Sequence, residues 1–278
     1  METFNIKRAK LKGPDFFNRF KVSQAPQTIQ ALQLSSDEEL IVFEHYGKRY
    51  GFLLKQLDYH HVAQGSIDGK EFAIIFCGIC HSAMGFNPII KDQLYHLSAG
   101  GLYDGTVILV DDETETYWNH MTGKALHGSS KGLQFDTFPI HITTVQEELT
   151  FEAPAKIWIS KPPFWSRILT AVIGNKRINS KGMFPPGFIK SMGEVNDALP
   201  KLTQGLGVII NDEARFYPKI ALKTPITDQL GGQKINISIA SSGVPQAFLE
   251  DGSFPMQLFC RWYGFTINYP HTTIYAPS

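Results

Sequence analysis

From Glu39 onward the chain breaks into short β-rich runs punctuated by Gly and Asp, and this cadence constrains the fold more than any other feature. The runs are Leu40 to Glu44, Arg49 to Leu54, Phe72 to Phe76, Leu94 to Leu97, Thr106 to Val110 and Thr116 to His120. Strand-turn-strand spacing of this kind predicts mainly antiparallel sheets. Helical signals are few. One is a short stretch around Pro26 to Leu34. Another is Thr143 to Glu152, where Thr143 or Thr144 can cap and Glu147 and Glu148 fall in the first turns. A strand, Ile157 to Ser160, follows. The apolar decapeptide from Phe164 to Ile173 reads as a short amphipathic helix that packs into the core or faces a partner or lipid surface.

The last third echoes the first. Arg49 to Leu54, Asp68 to Ile75 and Met84-Gly85-Phe86 are matched in order by Arg215 to Ile220, Gly231 to Ile237 and Gln246-Ala247-Phe248. The expected fold is therefore α+β and β-rich, with mainly antiparallel sheets in two related units and few helices. Its divisions are an N-terminal arm over 1–36, a first β-rich unit over 37–160, an irregular linker over 161–204 and a second unit over 205–278. Where the first unit has Cys77 and Cys80, the second has Ala240-Ser241-Ser242-Gly243, so the chemistry belongs to the first.

With 43% apolar residues, 278 residues can bury a full core. Charge is balanced at 26 basic and 26 acidic residues, which argues against nucleic acid or an anionic membrane as partner. No run approaches the length of a membrane span, and the basic N-terminus has no apolar stretch behind it. The expectation is a soluble, cytoplasmic protein whose partner is a small molecule or a protein of unspecified kind.

Chemistry points to Phe72-Ala73-Ile74-Ile75-Phe76-Cys77-Gly78-Ile79-Cys80-His81, where a β-type run ends in two thiols at C-x-x-C spacing and an imidazole. Thiols so spaced converge across one turn and can close a disulfide, clamp a soft metal ion or anchor a haem. Other donors near in sequence are His60 and His61 before the thiols, and His120, Met121 and His127 after them. Cys260, in Leu258-Phe259-Cys260-Arg261-Trp262, reads as a buried thiol. Ser98-Ala99-Gly100-Gly101 lacks the Lys-Ser/Thr of a phosphate loop and reads as a turn, and Asp111 to Glu115 reads as a solvated hairpin turn.

Several ordered blocks resemble the bacterial family known as domain of unknown function 3179. They are Tyr59-His60, Asp68-Gly69 and Phe76-Cys77-Gly78-Ile79-Cys80, then Gly101-Leu102-Tyr103, Val110-Asp111 and the run from Tyr117 to Gly128. Further matches are Leu199-Pro200-Lys201, Ala214 to Pro218, Trp262 to Phe265 and Pro270-His271-Thr272. The resemblance singles out His60, Cys77, Cys80, Trp118 and His120 and implies no reaction. The chain departs from the family's usual pattern at Gly78-Ile79, often Pro-Leu, and at His61, often Glu.

The leading expectation is a metal or redox site. Cys77 and Cys80 would be ligands, His60 or His120 would complete the set for zinc, copper or iron, and Trp118 would shield it, with His61 and His81 alongside. Covalent haem is disfavoured, although Cys77 to His81 satisfies C-x-x-C-H, because the motif follows a β run. Two alternatives remain: thiol-disulfide exchange on a fold other than thioredoxin's, and a binding module with structural cysteines. In a thioredoxin the second Cys lies in a long helix, which the Gly and Pro in His81 to Pro88 preclude.

Overall fold

The computed structural model describes residues 4–14, 16–160, 184–240 and 242–276. The arm supplies three two-residue strands, β1 (Lys10–Leu11), β2 (Phe20–Lys21) and β3 (Gln27–Thr28), and helix α1 (Ile29–Leu32). A hairpin follows, β4 (Glu39–His45) and β5 (Lys48–Leu53), then α2 (Leu54–His60) and a meander of β6 (Val62–Ile67), β7 (Lys70–Cys77) and β8 (Ser82–Asn87). Next come β9 (Ile89–Ile90), β10 (Gln93–Leu94), β11 (Leu97–Tyr103), β12 (Thr106–Asp111), β13 (Tyr117–Asn119) and β14 (Ala125–His127). The chain continues through β15 (Asp136–Phe138), β16 (His141–Thr144), α3 (Val145–Glu148), β17 (Lys156–Trp158) and α4 (Phe188–Ser191). It closes with β18 (Gln204–Ile210), β19 (Glu213–Pro218), β20 (Ile226–Leu230), β21 (Gln233–Ile239), β22 (Pro245–Leu249), β23 (Met256–Arg261), α5 (Trp262–Asn268) and β24 (Thr273–Ile274).

The fold is β-rich with few, short helices, and its sheets are small and mainly antiparallel. Besides the β9–β10 hairpin, the sheets run β1-β11-β12-β13-β14, β15-β8-β7-β6-β2, β16-β4-β5-β17-β3, β23-β18-β19-β24 and β20-β21-β22. Together they suggest a five-blade, propeller-like arrangement. The arm is not separate, since each of its strands completes the edge of a different sheet.

Two related units are not confirmed. Residues of both segments mix in common cores: Phe43, Phe72 and Phe76 pack in one cluster with Leu206, Ile235 and Phe259, while Cys77, Leu109 and Trp118 share another with Phe216, Trp262 and Phe265. Strand β7 separates the two by simple alternation. Phe72, Ile74 and Phe76 enter the first cluster, and Ala73, Ile75 and Cys77 the second. Burial on both faces explains why this strand reads as an unbroken apolar run.

Several boundaries differ from expectation. The helix read over Thr143 to Glu152 contracts to α3, capped by the Thr144 hydroxyl, which accepts from the Glu147 amide. Ser98-Ala99-Gly100-Gly101 is strand, not turn. It lies in β11 at an irregularity between Ala99 and Leu102, where Gly101 has φ +117° and any Cβ would strike the Lys10 carbonyl. The decapeptide from Phe164 to Ile173 lies outside the described residues. No helix among the described residues is long and apolar enough to cross a membrane.

Candidate metal centre

The two thiols sit at the tip of the β7–β8 hairpin. Cys77, the last residue of β7, pairs with Ser82, the first of β8, so Gly78 to His81 form the connecting turn. His81 takes a left-handed backbone, φ +59°, to close it. Arg261 clamps the turn from outside, its amide donating to Cys80 O at 2.9 Å and its Nη1 to Ile79 O at 2.8 Å.

His120 arrives from another sheet, just beyond β13. The Asn119 side chain builds the turn that presents it, Oδ1 accepting from the Met121 and Thr122 amides at 2.8 and 3.0 Å. The ligand atoms of Cys77, Cys80 and His120 all lie within 4.8 Å of one another. His120 Nε2 is 3.5 Å from Cys80 Sγ and 2.9 Å from Ser82 Oγ, and Ser82 Oγ is 3.0 Å from Cys80 Sγ. The Val107 amide donates to Cys77 Sγ at 3.4 Å. The three donors are 1%, 0% and 1% exposed, so whatever they hold is sealed from bulk water. All three cysteines are free and buried.

Burial raises the energy of a thiolate at both cysteines, yet their pKa values diverge. At Cys77 the Cys80 thiol and the His120 ring outweigh burial and hold the pKa well below the usual thiol range. At Cys80, burial and the Cys77 thiolate push it well above, against the Ser82 hydroxyl. These opposite displacements favour the negative charge on Cys77 and the proton on Cys80. Burial and the Cys77 charge also raise Cys260, and burial, with the neighbouring cysteines, raises Tyr263. Helix α5 comes close at Gly264, where a Cβ would lie 3.1 Å from Met121 Cε and 3.2 Å from Cys80 Cβ.

Of the residues expected from sequence, the structure gathers Cys77, Cys80 and His120 and sends the others elsewhere. His60 is not in the group. It ends α2, its Nδ1 2.7 Å from Asn18 O and its Nε2 2.8 Å from Ser160 Oγ. His61, the C-cap of α2, has φ +61° and an edge-on contact with Phe17. Burial lowers its pKa while the charges of Asp58 and Cys77 raise it. His81 is wedged edge-on between Phe76 and Phe259, in the other core cluster's territory, with its pKa pushed down to about 4 by burial and the Arg261 charge. Trp118 shares the thiols' core cluster, but its indole N–H donates to Asp111 Oδ2 at 2.8 Å rather than to the site. His127 stacks on Phe4.

Sequence reading missed Ser82, whose hydroxyl touches both Cys80 and His120. Hairpin register was the available signal, since a tight turn after Cys77 makes Ser82 its cross-strand partner. The Asp111 to Glu115 segment is indeed a turn, but Asp111 is fully buried and accepts from Thr114, Thr116 and Trp118.

No curated protein and no solved structure matches the chain. A family model does match, over residues 16–248 of 278, and that span carries the Cys-x-x-Cys turn, His120 and both core clusters' central strands. The chain belongs to the family described as Protein of unknown function (DUF3179).

Proposed function

We propose that Cys77, Cys80 and His120 bind one divalent transition-metal ion, zinc or iron in preference to copper(I), and that the ion ties together the hairpins that carry them. The convergence of three buried soft and borderline donors within 4.8 Å carries this reading. Charge selects the ion. Two thiolates and a neutral imidazole balance a divalent cation, whereas a monovalent one leaves a net negative charge buried, which is costly. The Val107 amide supports the Cys77 sulfur as such sites require. Three protein donors leave a fourth position for a water or a further ligand. With the donors sealed from solvent, a structural or slowly exchanging ion fits better than an open catalytic one.

A second reading, reversible dithiol chemistry at Cys77 and Cys80, is favoured by the opposite displacement of their pKa values, which suits attack by one sulfur and departure of the other. Their burial opposes exchange with a large partner.

Metal analysis of protein purified without chelator, beside a Cys77→Ser, Cys80→Ser double variant and His120→Ala, tests the proposal. The expected result is near one equivalent of zinc or iron, lost in the double variant and weakened in His120→Ala. Cobalt(II) replacement should then give sulfur-to-metal charge-transfer absorption. Folded protein that arrives without metal and takes up neither zinc nor cobalt refutes it and makes thiol titration decisive.

A further inference from the structure

The histidine that stands apart from the thiols has a setting of its own. His60 and Ser160 both line a cleft of about 230 Å³, together with Arg19, Phe20, Lys21 and Trp158. The hydrogen bonds fix the ring's tautomer. A carbonyl oxygen only accepts, so Nδ1 must carry the hydrogen that goes to Asn18 O at 2.7 Å. In the neutral ring Nε2 is then an acceptor, and the Ser160 hydroxyl donates to it at 2.8 Å. Burial lowers the pKa of His60, which favours the neutral ring that a general base requires.

Ser160 is held in place from its other side. Gln56 grips its backbone in both directions, the amide group donating to Ser160 O at 3.1 Å and Oε1 accepting from Ser160 N at 3.0 Å. Hydroxyl, base and orienting acceptor thus stand in line at hydrogen-bond distances, the arrangement that activates a serine nucleophile.

We propose that Ser160 and His60, oriented by the Asn18 carbonyl, form a nucleophile-base pair that hydrolyses small carboxylic esters carrying a negative charge. The charge preference follows from Lys21 in the lining, which includes no carboxylate among the described residues, while the neighbouring Arg19 is paired with Asp112. The cleft's volume restricts the substrate to a small molecule. In the first half-reaction Ser160 Oγ bonds to the ester carbonyl carbon as its proton passes to His60 Nε2. The ester C–O bond then breaks and the leaving oxygen takes that proton. In the second, water attacks the acyl-serine, its proton passes through His60 to Ser160 Oγ, and the acid departs. Atoms balance with ester and water alone. Gln56 is a positioning residue. This site shares no residue with the metal centre, so either proposal can fail without the other.

The experiment is reaction of the full chain with a fluorophosphonate, in which Ser160 Oγ–P forms as P–F breaks, followed by peptide mapping. The expected result is a single adduct on Ser160, formed about 100-fold more slowly in His60→Gln and absent when the chain is unfolded in urea. The native protein should also hydrolyse mono(4-nitrophenyl) glutarate faster than 4-nitrophenyl butyrate, a preference that shrinks in Lys21→Ala. No adduct on Ser160 of the folded wild type, an adduct that persists in urea, or one indifferent to His60→Gln overturns the proposal. The wild-type and urea arms hold even where a variant fails to fold.

Discussion

Proton release gives the sharpest test of how the thiols are arranged. A metal ion binds thiolates, so each thiol still protonated in the metal-free protein must lose its proton on binding. With Cys77 displaced below the usual range and Cys80 above it, the asymmetric pair predicts release of one proton near neutral pH, from Cys80. Between pH 7 and 8.5 zinc affinity should rise about tenfold per pH unit, or ~1.4 kcal/mol. The sign follows from mass action, since lowering pH supplies the proton that competes with the metal for Cys80. Two ordinary thiols with pKa values near 8.5 would both be largely protonated at pH 7 and give a slope there approaching a hundredfold. The assay is competition against a chromophoric chelator at several pH values, corrected for the chelator's own protonation and checked by calorimetry in buffers of different ionisation enthalpy. A slope of two protons or of zero refutes the asymmetric pair.

Two predictions concern the frame around the sites. Asp111 presents acceptors on both oxygens to N–H donors: Oδ1 to the Thr114 amide, and Oδ2 to the Thr116 amide at 3.1 Å and the Trp118 indole at 2.8 Å. Either orientation of the amide in Asp111→Asn sets an NH2 against an N–H, so this isosteric change should cost about 3 kcal/mol in denaturant unfolding; a loss under about 1 kcal/mol would contradict the network. Burial and the Arg49 charge push the pKa of His141 down to about 3, against 6.5 when unfolded. From pH 6 to 4 the unfolded chain alone binds that proton, so stability falls by about 1.4 kcal/mol per unit from this group. In His141→Gln the pH dependence of unfolding should flatten by that amount, and an unchanged slope would be evidence against a neutral buried ring.

Local features of the fold were legible where one strand carries its own signal. Leu40 to Glu44, Phe72 to Phe76 and Thr106 to Val110 all fall within strands, and Arg49 to Leu54 overruns β5 only at Leu54, the first residue of α2, since alternation or a double-sided apolar run needs no knowledge of neighbours. Leu94 to Leu97 was less clear, being split between β10 and β11. Arrangement was not legible. The arm's two-residue strands take their conformation from the sheet edges they join, and no propensity over two residues marks them. Of the site, the two cysteines followed from spacing and His120 from the resembling block. The Ser82 contact and the separation of His60 depend on register and on which way each side chain points, and these are set by tertiary pairing.

The fate of the His60-His61 pair shows how local geometry divides neighbouring chemistry. Both stand at the end of α2, immediately before β6, which pairs antiparallel with the strand bearing Cys77. His61 leaves the helix with a left-handed turn, and its carbonyl accepts the Phe76 amide at 2.8 Å, so its backbone bonds to the strand one residue short of the thiol. His60, still helical, aims instead at Asn18 and Ser160. Along β7 the same division recurs, Phe76 and Cys77 facing different cores. Proximity of His60 to the Cys-x-x-Cys turn in the sequence is thus no evidence of shared ligation. It reflects instead that α2, β6 and β7 are consecutive and packed, one stretch of backbone supplying a sulfur pair to one core and an imidazole to the cleft beside Ser160.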